Sequence, residues 1–94
     1  MASNRKIMVL PGDGIGTEIM KANMRIIDWL AKYRSIDFDM QEGLVGGAAY
    51  DAHGTPLSDE TLADSIASDA VLFGAVGGPE YDDLAFELKP ERGL

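Results

Sequence analysis

Cysteine is absent from the 94 residues. That excludes a disulfide framework, a thiolate metal site and a cysteine nucleophile. Histidine occurs once, at His53 beside Gly54, and without a second ligand at metal spacing it reads as an exposed loop residue. Positive charge is scarce as well: 8 basic residues stand against 16 acidic ones, for a formal net charge of −8. Nucleic acid and anionic membrane surfaces both require a basic patch, so neither is expected as a partner. Long apolar runs are also missing. The basic opening Met1-Ala2-Ser3-Asn4-Arg5-Lys6 is followed by only Ile7-Met8-Val9-Leu10. A signal-peptide core needs about 7–15 apolar residues, and a membrane-spanning helix about 20. The reading is a soluble chain, and the lack of cysteine is compatible with a cytoplasmic one.

What is present suffices for a core: 46% of the residues are hydrophobic, too many for a disordered acidic tail. The length suits one small domain or a piece of a larger one. Lys6 to Leu10, broken by Pro11-Gly12-Asp13-Gly14, reads as a buried strand of a parallel sheet. Ile15, Ile19, Ala22, Ile26, Ile27 and Leu30 then trace one face of an amphipathic helix, with Asp13 placed to cap its start and Glu18 in its first turn. Ile36 to Gln41 alternates apolar and polar, as a half-covered strand does. Ala48 to Ala52 suggests a short helical turn. Ser58 is a good N-cap for a second helix whose inward face is expected to be Leu62, Ala63 and Ile66. Ala70-Val71-Leu72-Phe73 reads as another fully buried strand ending at Gly74, with loop from Gly77 onward. Trp29 and Tyr33, four apart on the long helix, read as packing partners, and the adjacent acids Asp82-Asp83 as solvated loop residues.

Strand, helix, strand, helix, strand predicts an α/β fold with a parallel or mixed sheet and flanking helices. Ligands on such sheets sit beyond the carboxyl ends of the strands, where both glycine clusters, Gly12–Gly16 and Gly74–Gly78, are expected to fall. Gly12-Asp13-Gly14-Ile15-Gly16 follows a strand and opens a helix, and an acid (Asp37 or Asp39) lies about 20 positions on, as in a dinucleotide fingerprint. The third glycine of that fingerprint would fall at Thr17, however, and Asp13 puts a carboxylate where a pyrophosphate should lie. The other reading is a tight strand-to-helix turn that uses glycine for unusual backbone angles. The second cluster is open to the same pair of readings: close approach of a ligand, or a wide loop leaving the sheet.

Four stretches together resemble one family. Val9-Leu10-Pro11-Gly12-Asp13-Gly14-Ile15-Gly16 is similar to the opening of the β-decarboxylating dehydrogenases, the isocitrate/isopropylmalate dehydrogenase family. Gly46-Gly47-Ala48-Ala49-Tyr50-Asp51-Ala52-His53-Gly54-Thr55-Pro56-Leu57 resembles the isopropylmalate branch, as do Ala70 to Pro79 and Lys89-Pro90-Glu91-Arg92-Gly93-Leu94. Order and spacing hold over nearly all of the chain. The resemblance implies that residues 1–94 are the N-terminal part of a two-domain α/β fold that is not a Rossmann fold, in an enzyme that works as a homodimer. It implies NAD-dependent oxidative decarboxylation of (2R,3S)-3-isopropylmalate, assisted by Mg²⁺ or Mn²⁺, in leucine biosynthesis. Related activities on tartrate or homoisocitrate, and a non-catalytic remnant that binds a nucleotide or a partner, are the alternatives.

By the same resemblance, Gly78 through Glu91 is the NAD-binding stretch, with Gly78 and Pro79 at its head. Ile15 matches an isoleucine near the nicotinamide end of the cofactor, and Asp82 an aspartate near the nicotinamide ribose. Glu91 matches a glutamate between substrate and nicotinamide, and Leu94 the first leucine of the pocket for the isopropyl group. The substrate-gripping arginines, the proton-transferring tyrosine and lysine, and the metal-binding aspartates of the family fall beyond Leu94 in its pattern. This sequence is therefore expected to be a fragment, to carry no catalytic or metal-ligating residue, and to be inactive alone. Two positions depart from the pattern: Thr17 stands for a usual proline, and Glu80-Tyr81 for a usual Lys-Trp. The second reverses a charge beside the cofactor loop.

Overall fold

The computed structural model describes residues 5–93. Three strands alternate with three helices: β1 (Arg5–Gly12), α1 (Ile15–Arg34), β2 (Phe38–Glu42), α2 (Gly47–His53), α3 (Asp59–Ala67) and β3 (Ala70–Ala75). β1 lies between β2 and β3 and is parallel to both. Its place explains its composition. A central strand is covered on two faces, and Met8, Val9 and Leu10 are all buried. Alternation then divides them. Val9 lines a cleft with Met20 and Met24 of α1, while Met8 and Leu10 join Val45, with Leu57 and Val76 packed against them.

The face that α1 turns to the sheet keeps Ile27 and Leu30 of the expected stripe but not Ile15, Ile19, Ala22 or Ile26. Gly16 and Met20 are buried and Met24, Ile27 and Leu30 half-buried, whereas Ile15, Ile19, Ala22 and Ile26 are exposed. Gly16 sets this rotation. A Cβ on it would lie 2.2 Å from the Pro11 carbonyl oxygen and 2.5 Å from that of Ala75, so residue 16 must face the backbone of the sheet. At 3.6 residues per turn, positions 20, 24 and 27 follow it inward. Asp13 is not the cap either. Gly14 holds that position with no side-chain bond, and Thr17, the residue in place of proline, donates its Oγ1 hydroxyl to the Gly14 carbonyl at 2.9 Å. Ser35, in the left-handed region at φ 58°, ends the helix by donating its N–H to the Leu30 carbonyl.

Ser58 does cap α3, its hydroxyl accepting from the Thr61 N–H at 3.2 Å. Yet Leu62, Ala63 and Ile66 are exposed and Thr61 is the buried residue. The Gln41 amide donates to Asp64 at 3.0 Å, which turns a polar face of α3 toward β2. β3 is consequently an edge strand open on one side. Val71 and Phe73 pair in register with Met8 and Leu10 and so share their face, but remain 46% and 38% exposed because α3 lies over β2 instead. The expected burial of that strand fails for this reason. The segment after Ala75 is loop, as expected, tightened by 3₁₀ turns at Pro79–Tyr81, Phe86–Leu88 and Pro90–Gly93.

Candidate active-site rim

The two glycine clusters meet at the carboxyl end of the sheet. Gly12 pairs with Ala75, and a Cβ on Gly12 would fall 1.9 Å from the Ala75 carbonyl oxygen, so close approach of backbones demands the glycine. Asp13 follows and donates its N–H to that same carbonyl at 2.7 Å. Its side chain is buried and serves as a triple acceptor: Oδ2 takes the N–H groups of Gly47 at 2.7 Å and Gly77 at 3.0 Å, and Oδ1 takes that of Ala48 at 2.6 Å. A buried carboxylate is tolerated when N–H donors replace its water. One side chain thus ties the end of β1, the start of α2 and the loop leaving β3. The first turn reads as a tight structural turn: the Asp13 carboxylate is already engaged by three backbone N–H groups, and the Gly16 and Thr17 N–H groups close on the carbonyls of Asp13 and Gly14.

The loop after β3 is seated on α2. The Tyr81 ring lies against Gly47, where an added Cβ would sit 2.2 Å from ring carbons. Its hydroxyl donates to Asp51 at 2.8 Å. That hydrogen bond, then burial and the Asp51 charge, push the Tyr81 hydroxyl from 10.0 up to about 12, so it stays protonated at neutral pH. The loop then turns back on itself, with Lys89 Nζ donating to the Asp82 carbonyl at 2.6 Å.

Of the residues singled out from sequence, some converge here. Ile15 opens α1 at this rim, 63% exposed. Gly14 faces Gly77 across it, an added Cβ on Gly14 meeting nothing nearer than the Gly77 carbonyl oxygen at 3.9 Å. Glu91 is exposed, and its Oε2 comes within 3.6 Å of where a Cβ on Gly77 would be. Gly78 and Pro79 open the first 3₁₀ turn, and Asp82 closes it by donating its N–H to the Pro79 carbonyl at 3.2 Å. Leu94 lies outside the described residues. An apolar isoleucine, bare glycine backbone and a carboxylate thus lie along one rim. Among the described residues no group of three or more His, Asp or Glu side chains could hold a divalent metal.

The joining roles of Asp13, Asp51 and Tyr81 escaped sequence reasoning. An aspartate between glycines looks like a helix cap, and only the positions of Gly47 and Gly77 in space reveal the donors it serves. A separate apolar cleft of about 440 Å³ runs between α1 and β2, lined by Val9, Met20, Met24, Met40 and Leu44 among others. None of Ile15, Gly78, Pro79, Asp82 or Glu91 lines it.

The chain is similar to known proteins over nearly all of its length. A 3-isopropylmalate dehydrogenase of Paramagnetospirillum magneticum is 61% identical over 90 residues, which are 96% of this chain and 24% of that protein. One from Ruegeria pomeroyi is 60% identical over 92 residues, 98% of this chain and 25% of its own length. The chain thus spans about a quarter of the length of the curated relatives it matches. The crystal structure of a beta-decarboxylating dehydrogenase from Thermococcus kodakarensis, in its apo form, superposes with a TM-score of 0.66 at 31% identity, over 80% of this chain and 21% of that one. The family described as isocitrate/isopropylmalate dehydrogenase matches residues 6–94, and the chain belongs to that family.

Proposed function

We propose that the complete protein oxidatively decarboxylates (2R,3S)-3-isopropylmalate to 4-methyl-2-oxopentanoate and CO₂ with NAD⁺, a step of leucine biosynthesis, and that residues 1–94 are its N-terminal segment. The observation that carries the reading is the 60–61% identity, over nearly the whole chain, to relatives named for that activity. In this reading Ile15, Gly78, Pro79, Asp82 and Glu91 contact NAD, and Glu91 also faces the substrate, joined by Leu94. NAD⁺ supplies the hydride acceptor. The chain's own contribution is to hold that acceptor: bare backbone at Gly77 and Gly78 admits it, and the exposed side chain of Ile15 offers it an apolar surface. The Glu91 carboxylate beside Gly77 stabilises a cationic ring electrostatically. Mg²⁺ or Mn²⁺ would be held by residues other than these, and a cytoplasmic homodimer is the form in which the enzyme works.

Glu91→Gln in the complete protein tests the assignment. Turnover should fall about tenfold or more while the KM for isopropylmalate stays within about twofold, the pattern of a group acting in the transition state. A change in KM alone would refute the electrostatic role. Leu94→Asp should raise that KM, since an isopropyl group gains about 0.8 kcal/mol per buried methylene from an apolar wall. An unchanged value would remove Leu94 from the pocket.

A further inference from the structure

We infer that Tyr81 is a positioning residue for the cofactor, docking the Gly78–Glu91 loop on α2 through its contact with Gly47 and its hydrogen bond to Asp51. The inference rests on the NAD-binding role proposed above for that loop. Asp13 fixes the loop only at its root, through the Gly77 N–H. Beyond Gly77 the loop is built of short 3₁₀ turns whose own bonds, Tyr81 N–H to the Gly78 carbonyl and Asp82 N–H to the Pro79 carbonyl, span three residues each. Such bonds shape the turn without anchoring it to the sheet. Pro90 is fully buried at the far end of the loop, and Tyr81 anchors the first turn, from its middle, to α2. Its ring occupies the space that only a glycine at 47 leaves open, and its hydroxyl reaches Asp51 one helical turn further along α2 at 2.8 Å.

Asp82 is the next residue, so the orientation of Tyr81 sets where Asp82 leaves the turn. The contact is directional. A phenol is held in the donor state by its neighbours' negative charge, as the raised Tyr81 pKa reflects, and Asp51 is exposed enough to need no other partner. Losing the hydroxyl therefore frees the loop without opening the core.

The test uses the complete protein and four variants: Tyr81→Phe, Asp51→Ala, Asp51→Asn and the double variant Tyr81→Phe/Asp51→Ala. Tyr81→Phe and Asp51→Ala should each raise the KM for NAD⁺ about fivefold, the loss of one solvent-exposed hydrogen bond, with the KM for isopropylmalate unchanged. The double variant should be no worse than either single one, and Asp51→Asn, which keeps an acceptor oxygen, should recover most of what Asp51→Ala loses. Hydrogen exchange should quicken over residues 79–85 in Tyr81→Phe and stay unchanged in β1 and α1. Unchanged exchange, additive effects, or faster exchange with an unaltered KM for NAD⁺ would each overturn the positioning role. A parent protein that reduces no NAD⁺ would instead sink the functional reading on which it rests.

Discussion

Asp13 accepts three backbone N–H groups while 7% exposed, so it should behave as a structural keystone. Asp13→Ala leaves one buried donor, Gly47, and two part-buried ones, Ala48 and Gly77, without their partner, at a cost of about 1–3 kcal/mol for the buried one and less for the others. A total destabilisation of about 2 kcal/mol or more in urea unfolding is expected, and a loss below about 0.5 kcal/mol would contradict the geometry. Tyr81 carries a pH signature. Its hydroxyl titrates at about 12 in the folded chain against 10.0 ordinarily. The unfolded chain thus releases this proton first, and the stabilising contribution of the Tyr81–Asp51 bond is intact below pH 10. It is lost as pH rises from 10 to about 12. A spectrophotometric titration should show one tyrosine ionising late in the parent and that late component missing in Tyr81→Phe. Residues such as Ser58 were legible from sequence because a cap acts over three positions. Asp13 and Tyr81 were not, because their partners lie 34 or more and 30 positions away.

At the scale of elements, the order of strands and helices was readable from periodicity and turn residues, while the faces they bury were not. α1 carries two apolar stripes. One, Gly16-Met20-Met24-Ile27, is packed, and the other, Ile15-Ile19-Ala22-Ile26-Trp29-Tyr33, is exposed. Counting isoleucines merged Ile15, Ile19, Ala22 and Ile26 of the second with Ile27 of the first and Leu30, since nothing local announces that Gly16 must touch the backbone of Pro11 and Ala75. The distinction is measurable in the 94-residue chain. Met20→Ala should destabilise it by about 2–4 kcal/mol, the range for truncating a buried methionine, whereas Ile26→Ser should change stability by less than about 0.5 kcal/mol. Equal losses would mean that the helix is rotated from the orientation described here. The same logic explains α3 and β3: composition marked Leu62, Ile66, Val71 and Phe73 as core, but each stays more than a third exposed among the described residues.

The molecule as a whole is open. Its radius of gyration is 14.4 Å, against about 12 Å for a compact domain of this length. The fold class and the placement of both glycine clusters at the strand ends followed from α/β alternation, and the motif blocks led to the family. The rim built there gathers Ile15, Gly77 and Glu91, and its use by NAD⁺ and isopropylmalate is the central claim. The most direct measurement is NAD⁺ reduction by the complete protein with Mg²⁺, comparing isopropylmalate, tartrate and homoisocitrate as sole substrates. The kcat/KM for isopropylmalate should exceed the other two by at least about tenfold, with CO₂ released in step with NADH. Faster turnover of tartrate or homoisocitrate, or no NAD⁺ reduction with any of the three, would contradict it.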